Sequence, residues 1–152
     1  EPQLFHPGDL DYIHSVERIS KLSSVISING GVQLDLMGQE NAESTGTRQL
    51  SGIGGQMDFL EGAYRSKGGK GFICINSSRV TKDGERKSNI LATIPGGSTI
   101  SAPRTMIQYV ATEYGIASLS GKTLRERAEA MASIAHPDFR EELMKYAREN
   151  FK

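Results

Sequence analysis

Apolar and polar positions alternate along this chain in short runs whose period switches between that of a strand and that of a helix. Residues 24–28, SVISI, carry β-branched side chains, and residues 32–38, VQLDLMG, alternate, so both predict strands. Asn29-Gly30-Gly31 stands between them as a preferred turn sequence, and the two strands are expected to pair as a hairpin. Residues 71–76, GFICIN, form a continuous apolar run that suits a buried central strand. NILATI, MIQYVAT and EYGIASL predict further strands, the first stopped by Pro95-Gly96-Gly97. Met57, Leu60 and Tyr64 fall at helical spacing within residues 56–65. Asp9 is placed to cap a short helix over residues 9–22. Thr123 with Glu126 makes a capping box for residues 124–134, and Pro137 opens a last helix running to about Asn150. Strands near 24, 33, 72, 91 and 108 thus alternate with helices near 12, 58, 126 and 142, the order of a mixed α/β layered domain.

Length adds that 152 residues suit one domain, with residues 1–23 as an arm or linker and residues 24–152 as the folded body. Pro2 and Pro7 oppose regular structure in residues 1–8, and no internal repeat is present. No run approaches the roughly 20 apolar residues of a membrane span, and no signal peptide is visible. The chain does not begin with Met and is expected to be part of a longer product. Cys74, the only cysteine, lies in the apolar run and is expected to be a buried, inert thiol in a reducing, cytoplasmic setting. The net charge is zero, which argues against general nucleic-acid binding. Its distribution is uneven: residues 1–66 hold nine acids and four bases, residues 67–104 two acids and seven bases. The basic stretch is either a solvated rim or a docking surface for a phosphorylated ligand.

The candidate chemistry centres on SGIGGQMDFLEGAYRSKGGK, residues 51–70, with six glycines around one helix. Gly52 to Gly55 lead directly into that helix, whose unpaired N–H groups would receive a phosphate, a carboxylate or a developing oxyanion. The spacing is neither a P-loop nor a dinucleotide fingerprint, and two plain tight turns remain the alternative. His6, His14 and His136 are scattered, outside any nucleophile motif, and with one cysteine they show no metal-ligand spacing, so no metal is expected. Glu113 ends a strand, either as a base or nucleophile or as an acceptor holding a loop. The amides of Asn29 and Gln39 flank the expected hairpin, where they would orient a carbonyl; for Asn29 the turn reading competes. The polar stretch at residues 39–49, QENAESTGTRQ, either lines a site or turns in solvent.

Taken together in this order, SINGGVQLDLMGQENAES, SGIGGQMDFLEGAYRSKGGK, VATEYGIASLSGKTLRERA and IAHPDFREEL resemble the C-terminal domain of the acetyl-CoA hydrolase/transferase family. The resemblance runs from about Ser27 to Leu143. It implies an open three-layer α/β/α domain with a mixed sheet, one half of a polypeptide about twice as long. It also implies transfer of CoA between a short-chain acyl-CoA (4-hydroxybutyryl, butyryl or acetyl) and a carboxylic acid, through a glutamyl-CoA thioester. In the family the nucleophilic glutamate lies upstream of the SIN segment, and this chain has no counterpart of that stretch; Glu113 belongs to a different motif. The chain alone is therefore expected to be inactive and to need the N-terminal half. Gly54, Gly55, Gln56 and Asn29 become candidates for oxyanion or carbonyl orientation. Lys67, Gly68, Gly69, Lys70 and Arg104 become candidates for the CoA phosphates. CoA is expected as substrate, with no bound cofactor, and the enzyme as a homo-oligomer. A hydrolase half and a non-catalytic CoA-binding module are the rival readings.

Overall fold

The computed structural model describes residue 4 and residues 7–152. The arm expected at residues 1–8, with Pro2 and His6, therefore lies largely outside the described residues. Two short helices come first, α1 (Leu10–Ile13) and α2 (Val16–Lys21). β1 (Ile26–Gly30) and β2 (Gln33–Asp35) follow, then β3 (Glu40–Asn41), β4 (Ser44–Thr45) and β5 (Arg48–Gln49). Next come α3 (Gln56–Arg65) and β6 (Lys70–Cys74), then β7 (Ser78–Val80), β8 (Arg86–Ser88) and β9 (Ile90–Leu91). β10 (Tyr109–Thr112) and β11 (Gly115–Ser118) precede α4 (Leu124–Ser133) and α5 (Pro137–Asn150). No described helix is long and apolar enough to cross a membrane.

The fold is mixed α/β, and its principal sheet is mixed, with strand order β1-β6-β10-β11. The first three strands are parallel and β11 folds back antiparallel on β10. Register decides which side chains face the helices. Ser27, Gly71, Ile73, Val110 and Ala117 share one face and are buried. Leu60 of α3 rests on Gly71, and Met131, Ala128 and Ala132 of α4 complete that core. The opposite face carries Ile26, Ile28, Phe72, Cys74, Tyr109 and Ile116 in the alternate register positions. No described helix covers it: Ile26, Ile28 and Ile116 are 51%, 69% and 63% exposed. Of the three layers expected, the described residues supply the sheet and one helical layer.

Three local expectations need correction. The hairpin between residues 24–28 and 32–38 does not form. β1 pairs in parallel with β6, while β2 joins a separate sheet of order β3-β2-β9. A two-residue primed turn needs positive φ at its first central residue at least, and none of Asn29, Gly30 and Gly31 has it. Asn29 and Gly30 instead extend β1. Cys74 is exposed, because alternation along β6 turns it to the bare face while Ile73 turns to the helices. Asp9 stands at the α1 N-cap with no side-chain hydrogen bond, and the expected helix breaks at His14, after which Ser15 caps α2. The Thr123–Glu126 capping box forms in both directions. Leu60 is buried as expected, but Tyr64 is half exposed. The inner side of α3 is completed by Gly62, which lets Ile19 of α2 approach closely.

Candidate functional site

The glycine-led start of α3 is where the chain leaves its backbone most available. Gly54 has φ +59°, a conformation that a side chain disfavours, and it turns the chain into the helix. Gly55 is the N-cap and supplies no side-chain acceptor, so the first N–H groups keep their donors free of a capping oxygen. The His14 ring lies so close over Gly55 that a Cβ there would overlap it. His14 Nδ1 lies 3.4 Å from Asp58 Oδ2, and its ring meets Phe59 edge-on at 5.2 Å. The N-terminal helices therefore brace one side of the turn.

Gln56, the first residue of α3, is buried to 8% exposure and its Nε2 donates to Glu40 Oε2. Glu40 is wholly buried, and its Oε1 has no hydrogen-bond partner. Burial pushes the carboxyl up to about 8; the Gln56 hydrogen bond offsets part of that, and the Glu43 charge adds to it. The free Oε1 sits over the backbone of Gly31, where an added Cβ would stand 2.7 Å from it. Gly31 in turn lines an open crevice of about 420 Å³ with Cys74, Ile75, Asn76, Ala111 and Thr112. That crevice lies at the carboxyl ends of β1, β6 and β10, the usual place for a ligand in an open parallel sheet. A larger hollow of about 620 Å³ runs along α1 and α2, but its Glu17 and Lys21 neutralise each other as an ion pair. At the rim of the crevice Glu113 accepts the Ser77 N–H at 2.9 Å and the Ser77 O–H at 2.6 Å. Burial works to raise this carboxyl, yet the Ser77 bonds, aided by His136, hold it below the usual range. Glu113 is thus engaged in holding a loop.

The candidate residues do not gather in one place. Gly54, Gly55 and Gln56 stand together at the carboxyl end of β1. Asn29 lies on the face beneath α3, its Nδ2 donating to Ser27 Oγ at 2.8 Å. Gln39 donates to Asp35 Oδ2 at 2.7 Å and helps close the β2–β3 turn. Lys67, Gly68, Gly69 and Lys70 lie at the amino end of the sheet, where Ser24 N bonds Lys67 O and Lys70 N bonds Val25 O. The ten residues of α3 separate the two groups by roughly 15 Å. Arg104 stands apart again, its Nη1 at 3.3 Å from Met37 Sδ. Its carbonyl, with those of Met37 and Leu119, receives the buried Arg127 guanidinium. Sequence reasoning missed Glu40, Ser77 and Arg127. The one available signal was that residues 39–49 are polar yet follow directly on Leu34 and Leu36, both buried.

Residues 3–147 match the acetyl-CoA hydrolase/transferase C-terminal domain. The chain belongs to this family. It is 46% identical over 138 residues to a butyryl-CoA:acetate CoA-transferase of Anaerostipes caccae, covering 91% of this chain and 31% of that protein. It is 46% identical over 142 residues to a 4-hydroxybutyrate coenzyme A transferase of Clostridium kluyveri, covering 93% and 32%. Among solved structures, RipA from Yersinia pestis superposes with a TM-score of 0.80 at 39% identity, over 91% of this chain and 30% of that one. The chain thus spans about a third of the length of the curated relatives it matches, rather than the half expected.

Proposed function

We propose that this chain is the C-terminal domain of a CoA-transferase that moves CoA between a short-chain acyl-CoA and a carboxylic acid. In the proposed reaction a glutamate carboxylate outside this chain attacks the thioester carbonyl. A C–O bond forms, the C–S bond breaks, and CoA leaves as thiolate from an acyl-glutamyl anhydride. The thiolate then attacks the glutamyl carbonyl and expels the acyl carboxylate. The glutamyl-CoA thioester passes CoA to the acceptor acid by the reverse steps. Water in place of that acceptor gives the hydrolase reading.

The observation that carries the proposal is the start of α3. An uncapped helix N-terminus, opened by Gly54 and Gly55 and flanked by Gln56, presents donors at the same carboxyl end of the sheet as the crevice. Such donors stabilise the oxyanion that each attack on a carbonyl creates. Lys67 and Lys70 are proposed to meet the CoA phosphates. Their separation from Gln56 suits a ligand whose phosphates and thioester lie at opposite ends of an extended pantetheine arm. Gln56→Ala in the complete polypeptide should lower kcat for transfer from butyryl-CoA to acetate by on the order of a hundredfold, with CoA still bound. Undiminished kcat would overturn the proposal. Titration of this chain with CoA at two salt concentrations tests the lysines: Lys67→Ala with Lys70→Ala should remove any salt-dependent part of the binding.

The rest of that polypeptide is proposed to cover the bare sheet face. Contiguous exposed apolar residues mark an interaction surface, and the matched relatives carry about two thirds of their length beyond the matched part. A second copy seated there instead would show as a concentration-dependent dimer of the 152-residue chain in sedimentation.

A further inference from the structure

Glu40 stands in no motif singled out for catalysis, yet it is the one buried carboxyl whose oxygen finds no partner among the described residues. Its Oε1 lies against the backbone of Gly31, beside which the methyl groups of Ile73 and Ile75 also pack. Its Oε2 has a single partner, the Gln56 carboxamide. The charged groups of the surrounding elements are otherwise engaged. Asp35 of β2 accepts from Met37, Gln39 and the Gln39 side chain, and Asp58 of α3 turns to His14. Glu43, two residues past the end of β3 and the only charge acting on Glu40, is held by Ser101 and Gln49.

A carboxyl and a carboxamide facing each other alone have two complementary arrangements. When Glu40 is ionised it can only accept, so the Gln56 –NH2 must turn toward it and the amide oxygen away, which is the arrangement the structure holds. When Glu40 is protonated its O–H needs an acceptor, and the Gln56 oxygen is the one within reach. The amide then rotates by half a turn, a change that leaves the shape of the side chain the same, and its –NH2 faces away from Glu40. We propose that Glu40 is a positioning residue whose proton sets which end of the Gln56 carboxamide is turned outward at the start of α3. With the proton in place the outward group is a donor, which joins the free N–H groups of the glycine turn. With the proton lost it is an acceptor, which opposes any oxyanion there. The bearing on catalysis rests on the function proposed above; the geometry of the pair does not.

Heteronuclear NMR of the 152-residue chain from neutral to alkaline pH tests this without any activity. The Gln56 side-chain –NH2 resonances and the Gly54 and Gly55 backbone amides should shift together with one inflection near pH 8. Glu40→Gln, which cannot ionise, should abolish that inflection. A Gln56 side chain with no inflection, or one that inflects equally in Glu40→Gln, overturns the proposal. If Glu40→Gln does not fold, the carboxyl carbon of Glu40 in the parent chain decides: its titration must coincide with that of the Gln56 amide, and a mismatch overturns the assignment. Failure of the transferase reading leaves this result unchanged, and an absent inflection leaves the transferase reading standing.

Discussion

At the scale of single residues, Glu40 links stability to pH. The folded chain keeps its proton up to about pH 8, whereas the unfolded chain releases it near the usual 4.5. Between those values the folded state binds more protons, so stability falls as pH rises, by up to about 1.4 kcal/mol per pH unit from this group. Above pH 8 this loss levels off. Urea unfolding across the interval should show the decline, and Glu40→Gln should flatten it. Gly55 makes a second case. Alanine there must displace the His14 ring from the helix start, and a cost of about 1–3 kcal/mol in the urea midpoint is expected. The candidate site was partly legible at this scale. The glycines and Gln56 announce an exposed backbone in six consecutive letters. Glu40 does not, because its partner lies sixteen residues away in a different element, and nothing in QENAES says which carboxylate turns inward.

At the scale of elements, local signals held where the structure is local. The helices α3, α4 and α5 stand within a residue of where periodicity and caps place them, since each buries one stripe, and Thr123 and Pro137 mark the starts of the last two. The capping box at Thr123 satisfies donors in both directions, so Thr123→Ala should cost about 1 kcal/mol in thermal or urea unfolding. Asp9 caps nothing with its side chain, and Asp9→Ala should stay within about 0.5 kcal/mol of the parent in the same measurement. The hairpin was not legible, because Asn-Gly favours a turn only when no distant strand competes. Here β6, forty-four residues downstream of β1 in register, takes the whole of β1 through five paired positions. A sequence window cannot weigh that pairing.

At the scale of the whole molecule, the decisive fact is that one face of the principal sheet is covered and the other is not. GFICIN reads as buried on both faces, and only the register with β1 and β10 shows that Phe72 and Cys74 point to the side without helices. The thiol reports on this directly. Cys74 in the 152-residue chain should react with a thiol reagent at nearly the rate of the unfolded chain, and in the complete polypeptide at least tenfold more slowly. Equal rates in the two forms would mean that the face stays open. The bare face also bears on the order of events during translation. Chains fold from the N-terminus as they leave the ribosome. On the reading proposed above, this domain emerges last, when its cover is already folded and tethered beside it. Ile26, Ile28 and Ile116 would then meet a waiting partner instead of solvent. Made by itself, the same chain must rely on chaperones or on its own concentration to stay in solution.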